Sequence, residues 1–206
     1  MTDRSPLVLV GVSGSIAAFR TADLVSRLSN EGMRVTVLMT RAARRFITPL
    51  TFETLSHRRV VTSLWDAGTD DPEHIEIARE AACLIVAPAT ANILAKLALG
   101  LADDALTTTA LAITCPVVVA PAMNTRMWEH PAVRKNLAML KGRGVAIVPP
   151  ESGRLACREE GAGKLAGTDT LVAAVRAALS SLPSGRSRRA PGKGTLHRHK
   201  EGGSHD

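Results

Sequence analysis

The sequence predicts an α/β fold, a single domain in which a parallel sheet is covered by helices on both faces. Three observations lead there. Short β-branched or apolar runs recur along the chain, segments of helical character separate them, and the polar or glycine-bearing loops fall just after the runs. Strands that are apolar on both faces and alternate with helices are the pattern of a doubly covered parallel sheet, whose ligands bind at the carboxyl ends of the strands.

In chain order, Leu7-Val8-Leu9-Val10 reads as the first strand and ends in Gly11-Val12-Ser13-Gly14-Ser15. Thr21, Leu24, Val25 and Leu28 then fall at helical spacing before a stop at Gly32. Arg34 to Met39, Cys83 to Ala87, Val117 to Ala120 and Val145 to Val148 are the next strands. Pro49 and the Gly68 to Pro72 turn region interrupt the pattern between strands two and three, so an irregular excursion is expected there. No internal repeat is present.

The chain has 206 residues, 45% of them hydrophobic and 22% charged, enough apolar material for one core of ordinary domain size. No run approaches the roughly 18 to 20 apolar residues of a membrane helix, and the amino terminus lacks a signal pattern, so a soluble cytoplasmic protein is expected. Cys83, Cys115 and Cys157 are an odd number without metal-ligand spacing, which suggests reduced thiols. The net charge of +7 is concentrated in residues 183–206, with six Lys/Arg against two Asp/Glu and no hydrophobic periodicity. The expected organisation is therefore a domain over 1–182 and a basic disordered tail over 183–206. With no Tyr, two Trp and three Phe to stack bases, nucleic acid is not an expected partner.

The loops after the strands carry the candidate chemistry. Gly11-x-x-Gly14-Ser15 offers backbone N–H groups and a hydroxyl at a helix start, which suits a phosphate, but a glycine-lined turn explains it equally. It lacks the third glycine of a dinucleotide fingerprint and the Lys-Ser/Thr pair of a Walker loop. In Ala87-Pro88-Ala89-Thr90-Ala91-Asn92, Thr90 can cap the helix containing Ile93, Leu94 and Leu97. Asp103 or Asp104 can cap a helix whose threonines, Thr107 to Thr109, face a ligand or the core. Paired acids also suit magnesium, yet no further carboxylate is positioned to complete a site, and no metal is expected. Pro121 to Trp128 gathers two methionines, an amide and a tryptophan beyond a strand, a composition that fits a packing turn as well as a site.

Taken together, these motifs make the chain resemble the homo-oligomeric flavin-containing cysteine decarboxylases, over about residues 6 to 180. The elements that carry the resemblance are the Gly11 to Ala17 loop, His74-Ile75, Ala87-Pro88-Ala89-Thr90-Ala91-Asn92, Ala102-Asp103-Asp104, Pro121-x-Met123-Asn124-x-x-Met127-Trp128 and Gly153-x-Leu155-Ala156-Cys157. The resemblance implies a Rossmann-like (flavodoxin-like) domain, FMN as cofactor, and a homotrimer or trimer-based dodecamer with FMN at a subunit interface. It implies His74 as active-site base, Asn124 as the group orienting the substrate carboxylate, and Cys157 as an acid. Gly14, Ser15, Thr40, Asn92 and Thr107 are the implied flavin contacts. Asn124, Met127 and Lys164 are implied at the substrate, with Met123, Met127 and Trp128 shaping the flavin pocket.

The implied reaction is FMN-dependent decarboxylation of 4′-phosphopantothenoylcysteine to 4′-phosphopantetheine. An amino-acid carboxylate has no electron sink, and oxidising the cysteine to a thioaldehyde creates one, so that loss of carbon dioxide gives an enethiolate. His74 has the pKa range to exchange protons, and Asn124 can donate to a carboxylate without adding charge. Cys157 supplies the proton that a saturated thiol product needs. The segment from Cys157 to Leu165 departs from the coenzyme A pattern, which has glycine after the cysteine and arginine-methionine in place of Lys164-Leu165. Relatives in that pathway are often fused to a ligase domain, whereas a basic tail follows here. Both points keep open an oxidative decarboxylase of a peptide's C-terminal cysteine, which releases an aminoenethiol. A flavin prenyltransferase shares the fold but not the Asn124 motif.

Overall fold

A computed structural model describes residues 5–64, 73–156 and 158–182. The Gly68 to Pro72 turn, Cys157 and the basic tail lie outside them. Four expected strands form where apolar runs predicted them: β1 (Leu7–Val12), β2 (Arg34–Met39), β3 (Ala81–Ala89) and β4 (Val117–Pro121). The fifth, β5, shrinks to Ala146–Ile147. All pair in parallel, in the order β2-β1-β3-β4-β5. This is the flavodoxin-like order, and its direction of winding reverses between β1 and β3, where their carboxyl ends open a crevice.

Alternating side chains of the strands separate into two cores, as the period of a strand requires. Val8, Val10, Val12, Val37 and Ile85 pack under α1 (Ala18–Asn30), α2 (Pro49–Ser56) and α8 (Thr168–Ser180). Leu7, Leu9, Leu84, Val86 and Val119 pack under α4 (Ala91–Leu99), α5 (Ala105–Ala112) and α7 (Pro131–Gly142). Among the described residues no helix is long and apolar enough to cross a membrane.

Pro49 does not break the chain as expected. It occupies the first turn of α2, where its missing N–H costs nothing and its fixed φ favours the helix, and Phe52 of that helix is fully buried. Helix α3 (Glu73–Glu80) leads directly into β3, and its last residue pairs with Arg34 at the start of β2 at 3.2 Å.

An antiparallel hairpin, β6 (Glu151–Arg154) with β7 (Glu160–Lys164), is absent from the expected element list. Its Glu, Ser, Gly, Arg and Lys residues carry no apolar alternation, so the period that reveals a strand is missing. Cys83 in β3 is a buried free thiol, pushed up to about 12 by burial and, secondarily, by Cys115. Its neutral form is the one the core accommodates.

Two hydroxyls tie helix and loop to the carboxyl end of β3. Ser13 Oγ donates to Pro88 O at 2.6 Å, and Thr21 Oγ1 donates to Ala87 O at 2.8 Å from inside α1. Thr21→Val keeps the shape of the side chain and leaves a buried carbonyl unsatisfied, which costs about 1–3 kcal/mol. The expected outcome is a lower midpoint in urea denaturation followed by circular dichroism; an unchanged midpoint refutes this account of the anchor.

Candidate functional site

The carboxyl edge of the sheet carries two adjoining cavities, and most of the sequence-selected residues meet there. The larger, about 1000 Å³, is a groove at the β1/β3 switch point. Gly14 borders it from the loop after β1, Thr40 from the end of β2, and Asn92 from the first turn of α4, with Met127 along one side. The second, about 460 Å³, is lined mainly by carbon and holds Ser15, Asn124 and Lys164.

Local chemistry explains how the groove is held. Ser13 accepts the Thr90 N–H at 3.1 Å while donating to Pro88 O, so one hydroxyl fixes the loops after β1 and β3 together. Thr90 in turn caps α4 by accepting the Ile93 N–H. Gly14 packs against the turn after β2, since a Cβ there would stand 2.5 Å from that of Ala42. A larger residue at 14 therefore forces the loop after β1 and the turn after β2 apart.

Charge distinguishes the two ends of the groove. Arg41, Arg44 and Arg45 line one side from the single turn of 3-10 helix at Ala43–Arg45 and the residues before it. Lys96 sits on the other side but is engaged by Asp103 at 2.6 Å and by Asp104 at 3.4 Å. The hydrogen bond from Lys96 holds the Asp103 carboxyl below its ordinary range, and the same bond holds the Lys96 ammonium above its own. An anion entering the groove thus meets the arginines as its available cations. The sequence reading passed over these arginines, although the Arg41-x-x-Arg44-Arg45 run directly after a strand end was its visible signal.

Thr107 is not brought to the groove. It is buried at the start of α5 and forms a capping box with Asp104, whose carboxylate takes both the Thr107 N–H and its hydroxyl at 2.9 Å. The hydroxyl expected to reach a flavin is spent on its own helix. Trp128 likewise belongs to the second core, with the Arg134 guanidinium 4.4 Å above its ring, so it anchors a short helix α6 (Thr125–Glu129) on α7. Of His74 the backbone is described, within α3.

Asn124 has defined geometry. As the residue capping α6, its Oδ1 accepts the Arg126 N–H at 2.8 Å, which settles the amide orientation and leaves Nδ2 as the donor facing outward. That donor meets Glu159 Oε2 at 2.8 Å. The 460 Å³ pocket beside it is walled by Ile16, Phe19 and Leu155, with Arg20, Arg154 and Lys164 adding positive charge. The β6–β7 hairpin forms one wall because β7 approaches the Asn124 loop closely: Met123 N–H donates to Gly163 O at 3.0 Å.

A family model described as Flavoprotein matches residues 1–180. The chain belongs to the Flavoprotein family. One curated relative, the coenzyme A biosynthesis bifunctional protein CoaBC of Bacillus subtilis, is 46% identical over 166 residues, covering 80% of this chain and 41% of that protein. The chain spans about two fifths of the length of such bifunctional relatives. A probable phosphopantothenoylcysteine decarboxylase of Streptococcus mutans is 45% identical over 170 residues, 80% of this chain and 94% of the relative. Among solved structures, a Cys→Ser variant of PPC decarboxylase complexed with pantothenoylaminoethenethiol aligns with a TM-score of 0.77 and 34% identity, over 86% of this chain and 100% of the other. In this member of the Flavoprotein family, Gly14, Thr40, Asn92 and Met127 from the sequence motifs border the crevice that the strand order creates, and Ser15, Asn124 and Lys164 line the pocket beside it.

The hairpin wall depends on glycine. A Cβ at Gly163 would fall on the Met123 carbonyl oxygen. Gly163→Ala should therefore push β7 off the Asn124 loop at a cost of about 1–3 kcal/mol. Hydrogen exchange at the Met123 amide is expected to speed up by at least tenfold; unchanged protection would mean that the close approach is not needed.

Proposed function

We propose that this protein is an FMN-dependent decarboxylase of a cysteine carboxylate, acting on 4′-phosphopantothenoylcysteine to give 4′-phosphopantetheine. The single observation that carries this reading is Asn124, an amide on the wall of an apolar pocket that is locked with Nδ2 as its donor and meets the Glu159 carboxylate there. The matches to a coenzyme A bifunctional protein and to a probable phosphopantothenoylcysteine decarboxylase support the substrate.

The residues of the groove fit a flavin mononucleotide. Gly14 keeps the wall open against Ala42, Ser13 and Thr90 position two loops at the strand ends, and Arg41, Arg44 and Arg45 offer charge to a phosphate. The flavin, when bound, would supply the two-electron oxidation that creates an electron sink next to the carboxylate and, once reduced, the hydride that returns the enethiolate to the saturated thiol. Asn124 then holds the carboxylate through Nδ2, and a neutral donor does so without stabilising the charge so strongly that its loss is opposed. Ile16, Phe19 and Leu155 give the pocket an apolar wall. Arg20, Arg154 and Lys164 suit the phosphate of the substrate, a feature a peptide substrate does not need. His74 is the base that accepts the thiol proton, and the Cys157 thiol returns a proton to carbon; both roles come from the family resemblance.

Mass spectrometry of the FMN-loaded protein with 4′-phosphopantothenoylcysteine tests this. Loss of carbon dioxide alone is expected, and loss of carbon dioxide plus two hydrogens would assign an oxidative decarboxylase instead. No change on this substrate, with turnover of a peptide ending in cysteine, would transfer the enzyme to peptide tailoring. Asn124→Ala should lower kcat/KM by about 10- to 100-fold, the value of a hydrogen bond to a charged group. Lys164→Gln should raise KM for the phosphorylated substrate and not for pantothenoylcysteine.

We further propose self-association into a trimer or a trimer-based dodecamer. Ile16, Phe19, Phe46 and Leu50 are 54%, 59%, 50% and 68% exposed, large apolar groups beside or near the site that a second copy would cover. Light scattering coupled to size exclusion should return a mass that is a multiple of three chains, and a monomer at micromolar concentration would refute it.

A further inference from the structure

Glu159 makes a contact that the motifs give no reason to expect. Its Oε2 accepts the Asn124 Nδ2–H at 2.8 Å, and its Oε1 lies 3.9 Å from the Arg126 guanidinium. A carboxylate is thus already seated where the decarboxylase reading needs the carboxylate of the substrate, with the Asn124 amide on one oxygen and Arg126 facing the other. The carboxylate is half exposed and Arg126 is 88% exposed, so neither is forced into place by burial.

The surrounding backbone does not depend on this contact. Leu155 N–H donates to Glu159 O, and Arg158 N–H donates to Leu155 O, both at 2.9 Å, so the turn closes on itself through main-chain bonds. The hairpin is held to the Asn124 loop separately, by Met123 N–H to Gly163 O. A rotamer change of the Glu159 side chain therefore breaks none of these main-chain bonds. Asn124 cannot respond by turning its amide, because its Oδ1 is committed to the Arg126 N–H.

We propose that Glu159 is an internal stand-in for the substrate carboxylate, displaced when substrate binds and restored when carbon dioxide leaves, and that Arg126 is a second contact of the same carboxylate. The proposal rests on the decarboxylase reading for its substrate. A ligand bearing a carboxylate must displace Glu159, whereas the product, which has lost that group, binds with Glu159 in place. The residue so weakens substrate binding, leaves product binding untouched, and supplies an acceptor to the Asn124 amide at the moment the reaction removes one. Arg126 gains importance only after Glu159 leaves, because its guanidinium then faces the incoming anion.

The test compares Glu159→Ala and Glu159→Gln with the wild-type FMN-loaded protein. KM for 4′-phosphopantothenoylcysteine should fall by about three- to tenfold in Glu159→Ala, and by less in Glu159→Gln, which keeps an acceptor oxygen. The inhibition constant of 4′-phosphopantetheine should stay the same, while Arg126→Gln should raise KM for the substrate alone. A latch that merely holds the hairpin predicts the opposite: both constants rise together in Glu159→Ala, and that result overturns the proposal. A second readout does not need turnover. The side-chain amide resonances of Asn124, followed by NMR during titration with N-acetylcysteine, should move at several-fold lower concentration in Glu159→Ala than in wild type, and equal concentrations would overturn it. Absence of turnover in wild type, with the NMR difference intact, fails the decarboxylase reading and leaves the carboxylate exchange standing.

Discussion

A single hydroxyl sits at the place on which the rest of the site depends. Ser13 directly follows β1 and bridges to the end of β3 and the loop after it, giving its proton to Pro88 O and taking the Thr90 N–H. A parallel sheet brings its strand ends to one edge, but the backbone groups beyond the last ladder bonds need other partners. Ser13 satisfies two of them and in doing so sets the width of the crevice between the strands where the winding reverses. Thr90, held in this way, caps α4 and so determines where Asn92 enters the groove.

From that anchor the site divides into two chemical environments. The groove is polar and cationic, with Lys96 neutralised by its acidic neighbours and three arginines left to meet an anion. The adjoining pocket is largely apolar, with one oriented amide and three further cations. A phosphate-bearing cofactor and a substrate with a carboxylate and a phosphate make demands of these two kinds. The hairpin β6–β7 closes the pocket without a hydrophobic core of its own, through backbone pairing and a glycine contact, which lets its outer side chains vary at little cost in stability. Glu159 lies in the turn of this hairpin, and its carboxylate competes for the Asn124 amide.

Residue type alone does not fix the structural role of a side chain in these motifs. Thr107 and Trp128 have the right residue types and lie in the right motifs, yet one completes a helix cap and the other fills a core. Threonine and tryptophan serve packing and binding equally well, and spacing cannot separate the two uses. The arginines after β2 show the converse. Their run directly after a strand end is visible in the sequence, but the approach of their turn to the Gly14 loop is what places their charge at the groove.

The parallel sheet, its two apolar faces and the loops at its carboxyl edge are legible residue by residue, because periodic burial and strand-end loops are local properties. The sequence also marked Asn124, Gly14, Thr40 and Asn92 correctly as neighbours of one edge. The folded chain alone shows that the polar segment after β5 becomes a hairpin, that Thr107 turns inward, and that Glu159, 35 residues along the chain, reaches the Asn124 amide. Those outcomes rest on close backbone approach and on competition among partners for the same donor, and neither leaves a period or a motif in the chain.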